Sequence, residues 1–347
     1  MSRINRSSTI ADVAKRAGVS IATVSRVING NTPVVTSTAE RVHTAIKELN
    51  FVPQSAARML ASRRTNTIGL LLPEIGGWFF PSILRGIESA ARQAGFDLLI
   101  HTVDVNYPLK TSRRALGMHN TDGLIVFTNS VRDEELSYLH ENNFPIVLLH
   151  QTPPENLNIP VITVENKNGA QKLVDHLIEV HGCRRIAFLQ GTEGHEDSEW
   201  RERGYRESLE AHGIPFDETL VATGGFDELE AAAAVSEWLL DGLEFDAIFS
   251  GDDDAALGVF TALQHAGRKI PDEVAVVGFD DVPLARFMSP PLTTVRAPTE
   301  QTGVDAVKQL VHLIRGEPAK SITLLPTELV IRNSCGCKPY TGKRRQS

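Results

Sequence analysis

Three groups of residues in this chain have types and spacings that could do chemistry. Carboxylates directly follow short apolar runs: Asp252, Asp253 and Asp254 come after AIFSG, and Asp280 and Asp281 after VVGF, while Gly191-Thr192 follows RIAFLQ. Polar groups beyond the carboxyl ends of strands are where open α/β sheets bind ligands; a run of aspartates is also what a solvated helix start uses. A second group, SIATVSRVING at 20–30, sets Thr23, Ser25, Arg26 and Asn29 among small apolar residues. Third, Cys335 and Cys337 stand one residue apart near the C-terminus. Two thiols without a companion His or Cys nearby do not complete a zinc site, so no metal and no cofactor are expected. No GxSxG occurs, and no GxGxxG follows the first strand, so no catalytic residues are assigned.

The second group is positioned by two short helices. In TIADVAKRA (9–17), Thr9 is an N-cap with Asp12 in the capping-box position, and Ile10, Val13, Ala14 and Ala17 share one face. Gly18 stops that helix, and Ser20 caps the next, whose buried face is Val24, Val27 and Ile28. Two short helices joined by a Gly-containing turn make a helix-turn-helix. A third helix is expected from Ser37, with Glu40 completing a capping box, through Val42, Ala45, Ile46 and Leu49. In such motifs the second helix enters the major groove. Ile21 and Ala22 then offer apolar contact to a thymine methyl, and Arg26 a bidentate contact to guanine, with Ser25 on the same side. Thr23, Ser25, Asn29 and Thr38 suit phosphates, which position without specifying. Thr9 belongs to the same DNA-facing set.

After Phe51-Val52-Pro53, the segment QSAARMLASRR has few apolar residues for its helical propensity. It reads either as a plain linker or as a hinge that becomes helical on DNA. In the second case Ala57 and Leu60 meet the minor groove, with Leu60 as the wedge.

Charge separates head from body. Over the whole chain it is −8. Residues 1–64 hold ten Lys or Arg against three Asp or Glu, or +7, leaving 25 against 40, or −15, for the rest. A basic head on an acidic body is expected of a nucleic-acid module joined to something else. The N-terminal MSRINRSSTI has no apolar segment to serve as a secretory signal, so the cytoplasm is the expected location and a transport binding protein is disfavoured. Three cysteines without such a signal argue for reduced thiols.

The body alternates apolar runs with amphipathic stretches, as parallel βαβ units do. IGLLLP, DLLIHTV, DGLIVF and FPIVLLH read as one series of strands, with a helix over Ser82–Ala94; RIAFLQ, VATGGF, AIFSGDD and VAVVGFDD read as a second, with helices at Arg201–Ala211 and 228–240 among others. Two such series imply two open sheets and a cleft between them.

TIADVAKRAGVSIATVSRVIN and LNFVPQSAARMLASRRTNTIGLLLP together resemble the lactose-repressor family of bacterial transcriptional regulators (LacI/GalR type), and GLIV (123–126), RERGY (201–205), DDDAALG (252–258), VVGFDD (276–281) and PPLTTV (290–295) extend the likeness over nearly the whole chain. The resemblance implies an all-α helix-turn-helix head (1–53), a hinge (54–65) and an α/β two-lobed core similar to periplasmic binding proteins (66–340), followed by a basic tail (341–347). The N-lobe is expected over about 66–165 and 296–325, and the C-lobe over about 166–295 and 326–340. The resemblance also implies a homodimer on a pseudo-palindromic operator, with no membrane partner, and a small effector between the lobes, most simply a saccharide, alternatively a nucleoside or purine. In the family's pattern Arg201 and Asp253 hydrogen-bond a sugar, a planar guanidinium opposite a carboxylate suiting adjacent hydroxyls. Phe79, Phe80 and Phe226 fall where the family has apolar walls, with core packing the other reading of Phe79 and Phe80, and Asp280 joins the set. The chain departs from the family's usual Asp-Arg with His150-Gln151, which leaves His150 either facing the cleft or an ordinary surface histidine, and it has Asp252-Asp253 for the common Asn-Asp. A DNA-coating protein without an effector is the remaining alternative.

Overall fold

The computed structural model describes residues 8–29, 33–51, 64–103 and 116–338. The chain forms two compact units, Met1–Thr65 and Asn66–Ser347. Ala57 and Leu60 lie outside the described residues.

The first unit holds three helices, α1 (Ile10–Ala17), α2 (Ile21–Asn29) and α3 (Thr36–Glu48). The Thr9–Asp12 capping box forms in both directions, and Gly18 takes a left-handed φ of 67° to end α1. Ser20 Oγ accepts from the Thr23 amide at 3.1 Å and starts α2. The helices close on Val13, Ala14, Ala17, Val24, Val42, Ala45 and Phe51. The expected start of α3 is corrected: the helix begins at Thr36, and Val35 occupies the cap position with no side-chain cap. With three β-branched residues from Val34 to Thr36, the chain enters this helix directly from extended backbone.

The second unit contains two six-stranded sheets. The first lobe has β1 (Thr67–Leu72), α4 (Phe80–Gln93), β2 (Asp97–Thr102), β3 (Gly123–Phe127), α5 (Asp133–Glu141), β4 (Ile146–Leu149) and β5 (Val161–Val164). The second has α6 (Asn166–His181), β6 (Ile186–Gln190), α7 (Glu196–Ala211), β7 (Val221–Thr223), α8 (Glu228–Leu240), β8 (Ala247–Ser250), α9 (Asp253–His265), β9 (Ala275–Asp280) and β10 (Thr293–Arg296). The chain then returns through α10 (Thr299–Ile314) and β11 (Ile322–Leu325) to the first lobe, and crosses once more to β12 (Glu328–Val330). The strand orders are β11-β5-β4-β3-β1-β2 and β12-β10-β9-β8-β6-β7. All pairs are parallel except β10–β12, so both faces of each sheet need helices. The continuously apolar strands IVLL and AIFS are accordingly buried along their whole length.

Two motif glycines serve packing. A Cβ on Gly204 of RERGY would come within 2.2 Å of the Lys167 carbonyl on α6, and one on Gly258 of DDDAALG within 2.0 Å of the Glu228 carbonyl on α8. The helix pairs α6–α7 and α8–α9 can therefore approach backbone to backbone. Tyr205 beside Gly204 is fully buried, and its hydroxyl donates to the Ile186 carbonyl at 2.8 Å. Among the described residues no helix is long and apolar enough to cross a membrane.

Candidate functional site

Polar groups collect where the strands of the two lobes end. Arg201 lies on the second turn of α7, 3% exposed. Its Nε donates to Asn166 Oδ1 at 2.9 Å, Nη1 to the Gly251 carbonyl at 2.7 Å, and Nη2 to Asp280 Oδ1 at 3.3 Å, with Asp197 Oδ2 at 3.8 Å. The guanidinium lies 3.9 Å from the centroid of the Phe279 ring and 5.5 Å from that of Phe226. Asp197 carries the network to the first lobe: its Oδ2 meets His150 Nδ1 at 2.8 Å, and its Oδ1 accepts from Asn166 Nδ2 at 2.8 Å. The His150 ring packs against Phe79 and Phe127. Glu196 also binds across the cleft, accepting from the Thr152 hydroxyl at 2.6 Å, and Asp254 accepts from the Trp78 amide at 2.9 Å.

The backbone is strained at the same place. Nine non-glycine residues among those described have positive φ, and five are asparagines, which tolerate that region. The other four are His150, Phe226, Asp280 and Asp281, with φ of 58°, 59°, 103° and 55°. Such conformations cost of order 1–3 kcal/mol each and concentrate at binding sites. A cavity of about 220 Å³ opens next to them, lined by Trp78, Phe79, Asp280, Val282, Pro298 and Thr299 among others.

Charges in this cleft are set by burial working against the neighbouring charged and hydrogen-bonding groups. Burial would raise the Asp197 carboxyl, but His150 and Arg201 outweigh it and hold Asp197 well below the usual carboxylate range. Asp280 goes the other way: burial raises it, Arg201 opposes and Asp197 adds to the rise. Burial also lowers His195 to about 4, keeping that imidazole neutral at neutral pH. Among the described residues, two buried ring nitrogens, His150 Nε2 and His195 Nδ1, have no hydrogen-bond partner. Orphaned buried polar atoms are rare and call for a reason.

The model of the lacI family of bacterial regulatory proteins matches residues 9–54, and that of a periplasmic binding protein-like domain matches residues 174–335. The chain is 35% identical to the ribose operon repressor of Halalkalibacterium halodurans, covering 94% of this chain and 96% of that one. It is 33% identical to catabolite control protein A of Priestia megaterium over 94% and 98% of the two chains. The chain belongs to the lacI family. Like the family's members it is a sequence-specific DNA-binding transcriptional regulator, not placed among enzymes by any of these similarities. Among solved structures, a CelR–cellobiose complex superposes with a TM-score of 0.68 at 34% identity, covering 94% of this chain and 99% of that one. The lac repressor dimer bound to operator and the anti-inducer ONPF superposes with a TM-score of 0.80 at 27% identity, over 95% and 99%.

Seen as a lacI-family core, the cleft gathers Arg201, Asp280, His150, Phe79 and Phe226 in one place. Asp253 stands apart. Its Oδ1 accepts from the Thr294 hydroxyl at 2.6 Å and its Oδ2 from the Val282 amide at 2.9 Å, so it ties α9 to the loop after β9 and to β10. Burial raises its carboxyl well above the usual range, with the Thr294 hydrogen bond opposing. The carboxylates within reach of Arg201 are instead Asp280 and Asp197. Phe80 is a core residue of the first lobe, packed with Ile83, Ile87 and Phe127, and not a free wall. Asp197 and His195 were missed in the sequence because α7 begins at Glu196, five residues before the expected start, and Asn166 because it opens α6. The acids Glu196, Asp197 and Glu199 of its first turn are the signal that could have moved that boundary.

In the head, Ile21 is 51% exposed, and Ala22 and Arg26 are exposed beside it on α2. Thr23 is half-buried and shares a 2.9 Å hydrogen bond with the Ser20 hydroxyl. Ser25 and Thr38 are half-buried, and Asn29 is the last residue of α2. Exposed Thr9 has its hydroxyl engaged by Asp12 at 2.7 Å, so its role within the unit is the cap.

One expectation is corrected outright. Cys335 and Cys337 do have companions: His176 and His181 of α6 stand beside them. The partners lie more than 150 residues away in sequence, which a search of the local pattern does not reach.

Proposed function

We propose that this regulator is a homodimeric repressor whose operator affinity is set by a polyhydroxylated small molecule, a saccharide, bound between the lobes. The observation that carries the reading is the conjunction of the buried Arg201–Asp280–Asp197 set with the partnerless nitrogens His150 Nε2 and His195 Nδ1. A hydroxyl donates and accepts at once, so a sugar satisfies a guanidinium, a carboxylate and two imidazole nitrogens together. Phe79 and Phe226 supply apolar surface for its ring faces. One relative is a ribose operon repressor and a solved relative holds cellobiose, which fits the same class of ligand here.

The mechanism follows from differential affinity. A ligand shifts the lobes only by binding one arrangement better than another. Contacts that cross the cleft, His150–Asp197, Thr152–Glu196 and Trp78–Asp254, are those a ligand would strengthen or replace. In a dimer, that change resets the spacing of two heads against the two half-sites of a pseudo-palindromic operator. Ile21, Ala22 and Arg26 read bases, while Thr23, Ser25, Asn29 and Thr38 hold phosphates.

A thermal-shift screen of the purified chain against mono- and disaccharides, sugar acids, nucleosides and purines tests this. A ligand at about 100 times its dissociation constant stabilises the folded state by roughly 2.7 kcal/mol. The expected result is a saccharide hit that Arg201→Lys and Asp280→Asn abolish. A purine hit, or a saccharide hit indifferent to both substitutions, refutes the assignment.

A further inference from the structure

Four ligand-bearing side chains meet at one end of the second lobe, away from the residues of the cleft. His176 and His181 come from the last turns of α6, and Cys335 and Cys337 from the segment after β12. His176 Nε2 and His181 Nε2 are 3.3 Å apart. Cys335 Sγ and Cys337 Sγ each lie 3.6 Å from His176 Nε2, and Cys337 Sγ lies 3.4 Å from His181 Nε2. All four ligand atoms fall within 4.8 Å of one another.

These separations are those of a coordination tetrahedron. With zinc–nitrogen bonds of about 2.05 Å and zinc–sulfur bonds of about 2.3 Å, tetrahedral edges are about 3.3 Å for two nitrogens and about 3.6 Å for nitrogen and sulfur. The two nitrogens and three nitrogen–sulfur edges seen here match without rearrangement. We infer that His176, His181, Cys335 and Cys337 form a Cys2His2 site for a single zinc ion.

The surroundings fit a built site. Gly336, between the thiols, has φ of 103°, and a Cβ there would meet His181 Nδ1 at 3.2 Å. Only glycine both turns the chain so that two successive odd positions face one point and leaves the imidazole its place. Fully buried Thr293 donates its hydroxyl to Cys335 Sγ at 3.2 Å, the kind of outer hydrogen bond that steadies a ligating sulfur. Asn333 Nδ2 holds the Cys337 carbonyl at 2.9 Å. Thiolate with imidazole selects zinc over magnesium or calcium, which need oxygen ligands. Binding replaces two S–H protons by two Zn–S bonds and releases both protons to solvent.

Four protein ligands leave no open position, so the role is structural. The ion fastens the first helix of the second lobe to its last segment. That segment also holds Arg332, which donates to Asp281 at the end of β9, and Ser334, which donates to the Val276 carbonyl within it.

The test is elemental analysis of the full-length, tag-free chain after gel filtration without chelator, with cobalt spectra of protein expressed in cobalt medium. Roughly one zinc per chain is expected, with thiolate-to-cobalt charge transfer and tetrahedral ligand-field bands in the cobalt form. Cys335→Ser with Cys337→Ser should lose the metal and both spectral features. If a serine variant fails to fold, the wild-type cobalt spectrum still decides. No zinc before or after incubation with zinc chloride, a Cys335–Cys337 disulfide in the intact mass, or zinc retained undiminished by the folded double-serine chain would overturn the site.

Discussion

The DNA-reading head and the effector cleft solve opposite problems. The head puts a small apolar core behind α2 and leaves Ile21, Ala22 and Arg26 in the open, so the residues proposed to read bases contribute little to its own stability. The cleft buries the residues proposed to hold the effector: Arg201, Asp197, Asp280 and His150 are all at most 6% exposed and depend on one another. Function and stability are therefore separable in the head and entangled in the cleft. Substitutions at the two places should differ in kind.

The largest effect is expected at Arg201. Arg201→Ala leaves Asp197 and Asp280 buried without their cation, and should cost about 3–5 kcal/mol of core stability as well as the ligand response, both readable by urea unfolding with and without ligand. Arg26→Ala should cost about 1–3 kcal/mol of discrimination at one operator base pair and leave the unfolding midpoint where it was. A loss of stability there equal to that at Arg201 would break the distinction. Thr9→Ala removes a reciprocal cap and should cost the head about 1 kcal/mol, followed by the thermal unfolding of the head. Ile21→Ala should change stability by less than about 0.5 kcal/mol while weakening operator binding in an electrophoretic shift.

A pH series sharpens the same contrast. His195 is lowered by burial from 6.5 to about 4. The unfolded chain then binds the proton more readily than the folded one between those values, so stability falls as pH drops through that window. Asp197 is also lowered, and its contribution is lost at still lower pH, below the usual carboxylate range. The His195→Gln chain should therefore show a shallower loss between pH 6.5 and 4 than the parent; parallel curves would contradict a buried neutral imidazole.

The contrast also explains what could be read without coordinates. The Thr9–Asp12 spacing and Gly18 act within one turn of chain, so α1, the turn and α2 were legible in the sequence. Strand ends with Asp280 and Asp252–Asp254 were legible too, since short apolar runs mark them. Partnerships were not. Nothing local distinguishes Asp253, whose oxygens are taken by Thr294 and the Val282 amide, from Asp280, which faces Arg201. Asp197 was hidden by a helix boundary, and His176 and His181 by their sequence distance from the cysteines. The start of α3 was misread because Ser37 and Glu40 have the spacing of a capping box inside a helix already under way.

The most direct test of the account is fluorescence anisotropy of an operator duplex, titrated with the parent chain and with Arg201→Lys, each with and without the saccharide found by thermal shift. The account predicts that ligand changes the parent's operator affinity by about 5–150-fold. It predicts no such change for Arg201→Lys, whose operator affinity without ligand is that of the parent. An equal ligand effect in both chains, or none in the parent at saturating ligand, would contradict control of the head through the Arg201-centred cleft.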